Sequence, residues 1–119
     1  MKAQRRIAHR LLDIVDAIDN IRTVLEGCTF ETFRTHSLIR PAVERYFEIL
    51  CEASRHVPEN VREANPDIPW RKVADLGNVL RHAYFNTDPA ILWDIYANHL
   101  DQLEAVVRRA QRDFPDVDS

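Results

Sequence analysis

The chain has 119 residues, enough for one domain with a modest core, and its 45 % hydrophobic and 29 % charged residues match an ordinary globular protein. A net charge of −3 counts against a protein that holds long nucleic-acid duplexes by charge alone, and two glycines with six prolines leave little material for hairpins. No continuous apolar stretch reads as a signal peptide or a membrane span, so the expectation is a cytoplasmic protein, one domain over residues 1–119, without membrane contact.

The first helix is the clearest element. Ile7, Leu11, Ile14, Ile18, Ile21 and Leu25 recur at spacings of 4, 3, 4, 3 and 4, a single apolar stripe. Gly27 stands where a left-handed C-terminal cap is expected, and Thr29 can cap a short helix through "FETFRTH". The basic clusters "KAQRRIAHR" and "RRAQR" read as solvated helix ends.

A second long helix reads through "PAVERYFEILCEASRHV", with Pro41 in its first turn and Pro58 beyond its end. Val43, Phe47 and Leu50, with Tyr46 and Ile49 beside them, make its core face. Cys51 lies in the same apolar run as a small buried residue. Cys28 and Cys51 have no CxxC or Cys/His spacing, so neither signals a metal site nor a disulfide. "PENVREANPD" fits a turn or two of helix closed by Pro66.

The third helix is expected to begin at Pro69, with Val73, Leu76, Leu80 and Ala83 toward the core. After the turn "NTD", Asp88 is an N-cap and Pro89 the first position of a last helix through "AILWDIYANHLDQLEAVVRRA". Its inward residues are Leu92, Ile95, Leu103, Val106 and Ala110. Four substantial helices with short connections predict an all-α fold, an antiparallel four-helix-type bundle with short extra helices.

On the third helix Asp75, Asn78 and His82 share one polar strip opposite Leu76 and Leu80. A histidine titrates near pH 6.5 and can give and take a proton, and an adjacent arginine offers a charge for phosphate. Asn78, one turn back, can orient the imidazole. His82, Arg81 and Asn78 are therefore the candidate catalytic residues, although an isolated Arg-His pair on a helix more often serves surface or partner contact. His9, His36, His56 and His99 share no spacing with them and read as structural or surface residues.

"IPWRKVADLGNVLRHAYFNTDPAILWDIYANHLDQLEAV", preceded by "AVERYFEILCEASRHVPENVREANPD", resembles the HepT-like branch of the HEPN superfamily over nearly the whole chain. These are small helical toxins encoded beside minimal nucleotidyltransferase antitoxins of the MntA type. The family's ribonuclease motif is an arginine, a histidine five residues later, and a tyrosine two residues after that. His82 and Tyr84 match it, and the arginine position falls on Gly77. Arg81, four residues on, shares a face with Gly77 and leans back over the preceding turn, so it can stand in, with Gly77 leaving it room.

The resemblance implies a homodimer with a shared cleft, an RNA substrate, and adenylylation of Tyr84 by the antitoxin. The lack of any metal-ligand spacing in the sequence fits a cut without metal or cofactor, in which the RNA's own 2′-hydroxyl attacks the adjacent phosphate. Trp70 and Trp93, read as exposed, would suit the dimer interface. Arg45 and Glu48 can line the cleft or form a solvated pair. The alternatives are a bundle that has lost the cut and only binds its partner or a nucleotide, and a helical adaptor with no nucleic-acid role.

Overall fold

A computed structural model describes residues 2–82 and 87–116, and among these every regular element is a helix. In chain order they are α1 (Lys2–Leu25), α2 (Phe30–Thr35), α3 (Ile39–Ser54), α4 (Glu59–Ala64), α5 (Trp70–His82), α6 (Pro89–Asn98) and α7 (Leu100–Asp113). The helical-bundle expectation is met.

The apolar stripe of α1 is the floor of the core. Leu11, Ile14, Ile18, Ile21 and Leu25 are buried, joined by Val43, Phe47 and Leu50 of α3 and by Leu100, Leu103 and Val107 of α7. Helix α3 packs between α1 and α5, α7 covers another side of α1, and α2 rests on α3 and α6. Gly27 has φ +76°, the left-handed cap that ends α1. Thr29 Oγ1 accepts from Thr32 N at 3.1 Å and starts α2, while Asp88 accepts from Ala90 N at 2.9 Å and starts α6.

Two expectations are corrected. The last helix is broken at His99, whose backbone (φ −127°, ψ −14°) leaves the helical region. The apolar rows on either side serve different partners: α6 packs on α2, and α7 packs on α1. The two tryptophans are not free surface residues. Trp93 lies against Phe30, Phe33 and Tyr96 with ring centroids 5.9, 5.9 and 5.1 Å away. Trp70 is half-buried, and its indole N–H donates to the Asn65 carbonyl at 3.1 Å.

Candidate active site

Helix α5 carries its amphipathic pattern as expected. Leu80 is buried, Val73 and Leu76 are half-buried, and Asp75, Asn78, Arg81 and His82 are exposed. Helix α5 is described through His82, and Arg81 and His82 stand in its last described turn. Among the described residues His82 makes no hydrogen bond or ion pair, and its ring is open to a ligand. Ala83 and Tyr84 lie outside the described residues.

Gly77 differs from the expectation. It faces α3, not the solvent strip, and a Cβ built on it would stand 2.9 Å from Cys51 Cβ. That is closer than real Cβ atoms approach, so glycine here lets two helices touch backbone to backbone. The space it leaves is filled by α3 and not by the arginine. Cys51 is buried, and burial pushes its thiol up to about 12.

Arg81 does lean back over the preceding turn, as its helical position requires. Its Nη2 donates to Asn78 Oδ1 at 3.3 Å and to Glu52 Oε2 of α3 at 3.1 Å. Asn78 Oδ1 also accepts from Arg55 Nη1 at 3.2 Å. Asn78 thus holds two guanidiniums, and no Asn78–His82 hydrogen bond exists among the described residues. What it orients is Arg81.

Arg81 and Gly77 share a cleft of about 180 Å³ with Arg10 and Asp13 of α1 and Arg45, Glu48 and Glu52 of α3. Arg45 pairs with Glu48 at 3.1 Å, as the solvated-pair reading has it, and both residues line this cleft within the chain. Three arginines face three carboxylates there, leaving the cleft nearly neutral. Glu52 and Arg55 escaped the sequence reading because they act across helices. A signal was present nonetheless: Arg45, Glu48, Glu52 and Arg55 recur at spacings of 3, 4 and 3, one charged row of α3 pointing at α5.

The other histidines have partners of their own, and His56 shares Glu52 with Arg81. His36 Nδ1 accepts from Leu38 N and Ile39 N at the start of α3. His9, His56 and His99 lie 3.4, 3.8 and 3.3 Å from Asp116, Glu52 and Asp94. Among the described residues no group of three or more histidines, cysteines or carboxylates is arranged to hold a metal ion, and no helix is long and apolar enough to cross a membrane.

Fold and cleft together describe a small helical-bundle protein with a charged cleft between α3 and α5 and an exposed Arg81 and His82 on α5. Residues 14–110 match the family described as Ribonuclease HepT-like, and the chain belongs to that family. It is 32 % identical over 102 residues to "Probable ribonuclease HepT" of Thermococcus cleftensis, covering 86 % of this chain and 93 % of that one. It is 30 % identical over 105 residues to the candidate RNase MJ1380 of Methanocaldococcus jannaschii, covering 88 % and 96 %. A second candidate RNase of that organism, MJ1216, is 27 % identical over 115 residues, covering 97 % and 95 %. No solved structure matches the chain.

Proposed function

We propose that this member of the family is a metal-independent RNA endonuclease, the toxin of a toxin–antitoxin pair, cutting at a cleft shared by two copies. The observation that carries the reading is the placement of Arg81, its guanidinium swung back over Asn78 into the α3–α5 cleft, with His82 exposed at the next position of the helix.

The chemistry follows from these groups. Arg81 holds the non-bridging oxygens of the scissile phosphate, its planar fork matching two oxygens at once. The ribose 2′-oxygen forms a bond to phosphorus as the bond to the 5′-oxygen breaks. The 2′-hydroxyl proton goes to an imidazole, and the leaving 5′-oxygen takes a proton from an imidazole. In a homodimer the two copies of His82 supply base and acid. Asn78 is a positioning residue, fixing Arg81. The products are a 2′,3′-cyclic phosphate and a 5′-hydroxyl.

Adenylylation of Tyr84, two residues beyond His82 in sequence, by a nucleotidyltransferase antitoxin would add a phosphate and a nucleoside and block RNA by charge and bulk. Incubating the protein with that enzyme and ATP should add adenylyl mass to the peptide containing Tyr84, and labelling that persists in Tyr84→Phe removes the assignment.

The direct test uses end-labelled single-stranded RNA in the presence of EDTA. Cleavage leaving cyclic phosphate ends, with an all-deoxy strand untouched, is the expected result. Cleavage that needs a divalent ion, or that also cuts DNA, contradicts it. A second reading, a bundle that binds its partner without cutting, is favoured by one observation: Gly77, at the family's arginine position, is packed against Cys51. A protein that binds the antitoxin but leaves every RNA intact supports it.

A further inference from the structure

The α3–α5 cleft lacks surplus positive charge, yet the face around it does not. A second depression of about 540 Å³ opens on the other side of Asn78, between the end of α3, α4 and the first half of α5. Arg55, Arg62, Arg71, Trp70, Asp75 and Asn78 line it. Three arginines meet one carboxylate there, in a protein whose net charge is −3. Among the described residues none of the three is ion-paired, whereas Arg22, Arg34, Arg40, Arg45, Arg81 and Arg108 each have a carboxylate partner. The Arg62 Nε–H is buried and has no acceptor.

We propose that this depression is a nucleotide subsite for single-stranded RNA. Arg55 and Arg71 take the phosphate, and Arg62 lends charge from the wall. Trp70 gives a ring face for the base, because its N–H is already committed to Asn65. Asp75 and Asn78 offer acceptors and a donor for polar base edges or a ribose hydroxyl. The assignment rests on the ribonuclease reading of the neighbouring cleft and deepens it. Asn78 Oδ1 joins the two, accepting from Arg55 on one side and Arg81 on the other. Asp75 precedes His82 by seven residues of helix, roughly 10 Å. A stacked strand advances about 3.4 Å per nucleotide. The bound nucleotide therefore stands about three stacked nucleotides from the scissile phosphate.

The experiment measures binding apart from cutting. A fluorescent RNA hexamer with every 2′-hydroxyl methylated has no internal nucleophile, and its anisotropy with the full chain reads affinity alone. Arg55→Gln and Arg71→Gln, both at exposed positions, should each weaken binding at least fivefold at 0.1 M salt. Each should also lower the slope of log K against log salt by about 0.7. The control Arg108→Gln, on α7 and away from this depression, should change neither. Adenosine and uridine monophosphates should quench Trp70 fluorescence where inorganic phosphate does not, read in Trp93→Phe so that Trp70 is the sole indole. Affinities of Arg55→Gln and Arg71→Gln within twofold of the control overturn the subsite, as does equal quenching by phosphate. A protein that holds the hexamer through these arginines but cuts no RNA keeps the subsite and loses the nuclease. One that cuts RNA with an unchanged KM in both variants does the reverse.

Discussion

Arg81 Nη2 donates to Glu52 Oε2 at 3.1 Å, so the cation proposed to clamp phosphate rests against a carboxylate of the neighbouring helix. Side-chain exposures of 42 % for Arg81 and 38 % for Glu52 put the pair in partial contact with water. Pairs of this kind are worth roughly 0.2–1 kcal/mol. An incoming phosphate can displace such a carboxylate, at a cost in affinity.

Glu52→Gln should therefore tighten binding of an uncleavable RNA about 1.4- to fivefold at low salt, the ratio those energies allow. The gain should shrink as salt screens the cleft. Anisotropy titrations at two ionic strengths check this. Weaker binding in Glu52→Gln would mean that the carboxylate holds Arg81 in its working position.

Helix propensity alone says that alanine at position 77 stabilises α5 by about 1 kcal/mol. The structure says the opposite. The added Cβ would meet Cys51 Cβ at 2.9 Å, and overpacking of this sort costs about 1–3 kcal/mol. Gly77→Ala should lower stability by about 1 kcal/mol net, a fall in Tm of roughly 4 °C. Gly77→Arg, which restores the family's motif, meets the same obstacle and should lose at least as much. A rise in the melting temperature of Gly77→Ala would contradict the close helix approach.

Burial raises the Cys51 thiol to about 12, so near pH 8 its thiolate fraction is on the order of 10⁻⁴. Cys28 is only half-buried. Native protein treated with a thiol reagent at pH 8 should consume one equivalent quickly, at Cys28. A second equivalent should react only in denaturant. Two fast equivalents would show that α3 and α5 open readily at Gly77.

Glu104 accepts from Arg22 Nη1 at 2.6 Å and from Arg108 Nε at 3.1 Å. The Arg22 hydrogen bond, against opposing burial, holds its carboxyl below the usual 4.5. A carboxyl lowered in the native state stabilises fully above its unfolded pKa and loses that contribution as pH falls through the native one. Melting temperature should therefore drop below about pH 4.5 more steeply in wild type than in Glu104→Gln. Parallel curves for the two proteins would remove Glu104 from the acid response.

Much of the fold is readable in the sequence because its signals are local. The α1 stripe, the Gly27 cap and the Thr29 and Asp88 N-caps each depend on residues a few positions apart, and each stands where expected. The break at His99 carries no glycine or proline, and it arises from a change of packing partner that no single window contains. Gly77 illustrates the same limit at the site. Spacing placed it on one face with Arg81, and the two do share a cleft, but the neighbour that requires a glycine is Cys51, 26 positions earlier in the chain. Spacing likewise pairs Asn78 with His82, one turn away, while its oxygen is taken by arginines of two helices.

The central claim is that Arg81 and His82 act together on RNA, and the most direct measurement of it is kcat/KM on a single-stranded RNA for wild type, His82→Ala, Arg81→Ala and Arg81→Lys. General acid–base help is worth about 10²–10⁴ in rate, so His82→Ala should lose that much. Arg81→Ala should fall comparably. Arg81→Lys should recover little, because lysine keeps the charge without the planar fork. The substituted side chains are exposed, so melting temperatures should stay within about 2 °C of wild type. Wild-type cleavage that survives Arg81→Ala within a few-fold, or a wild type that cuts no RNA at all, would contradict the account.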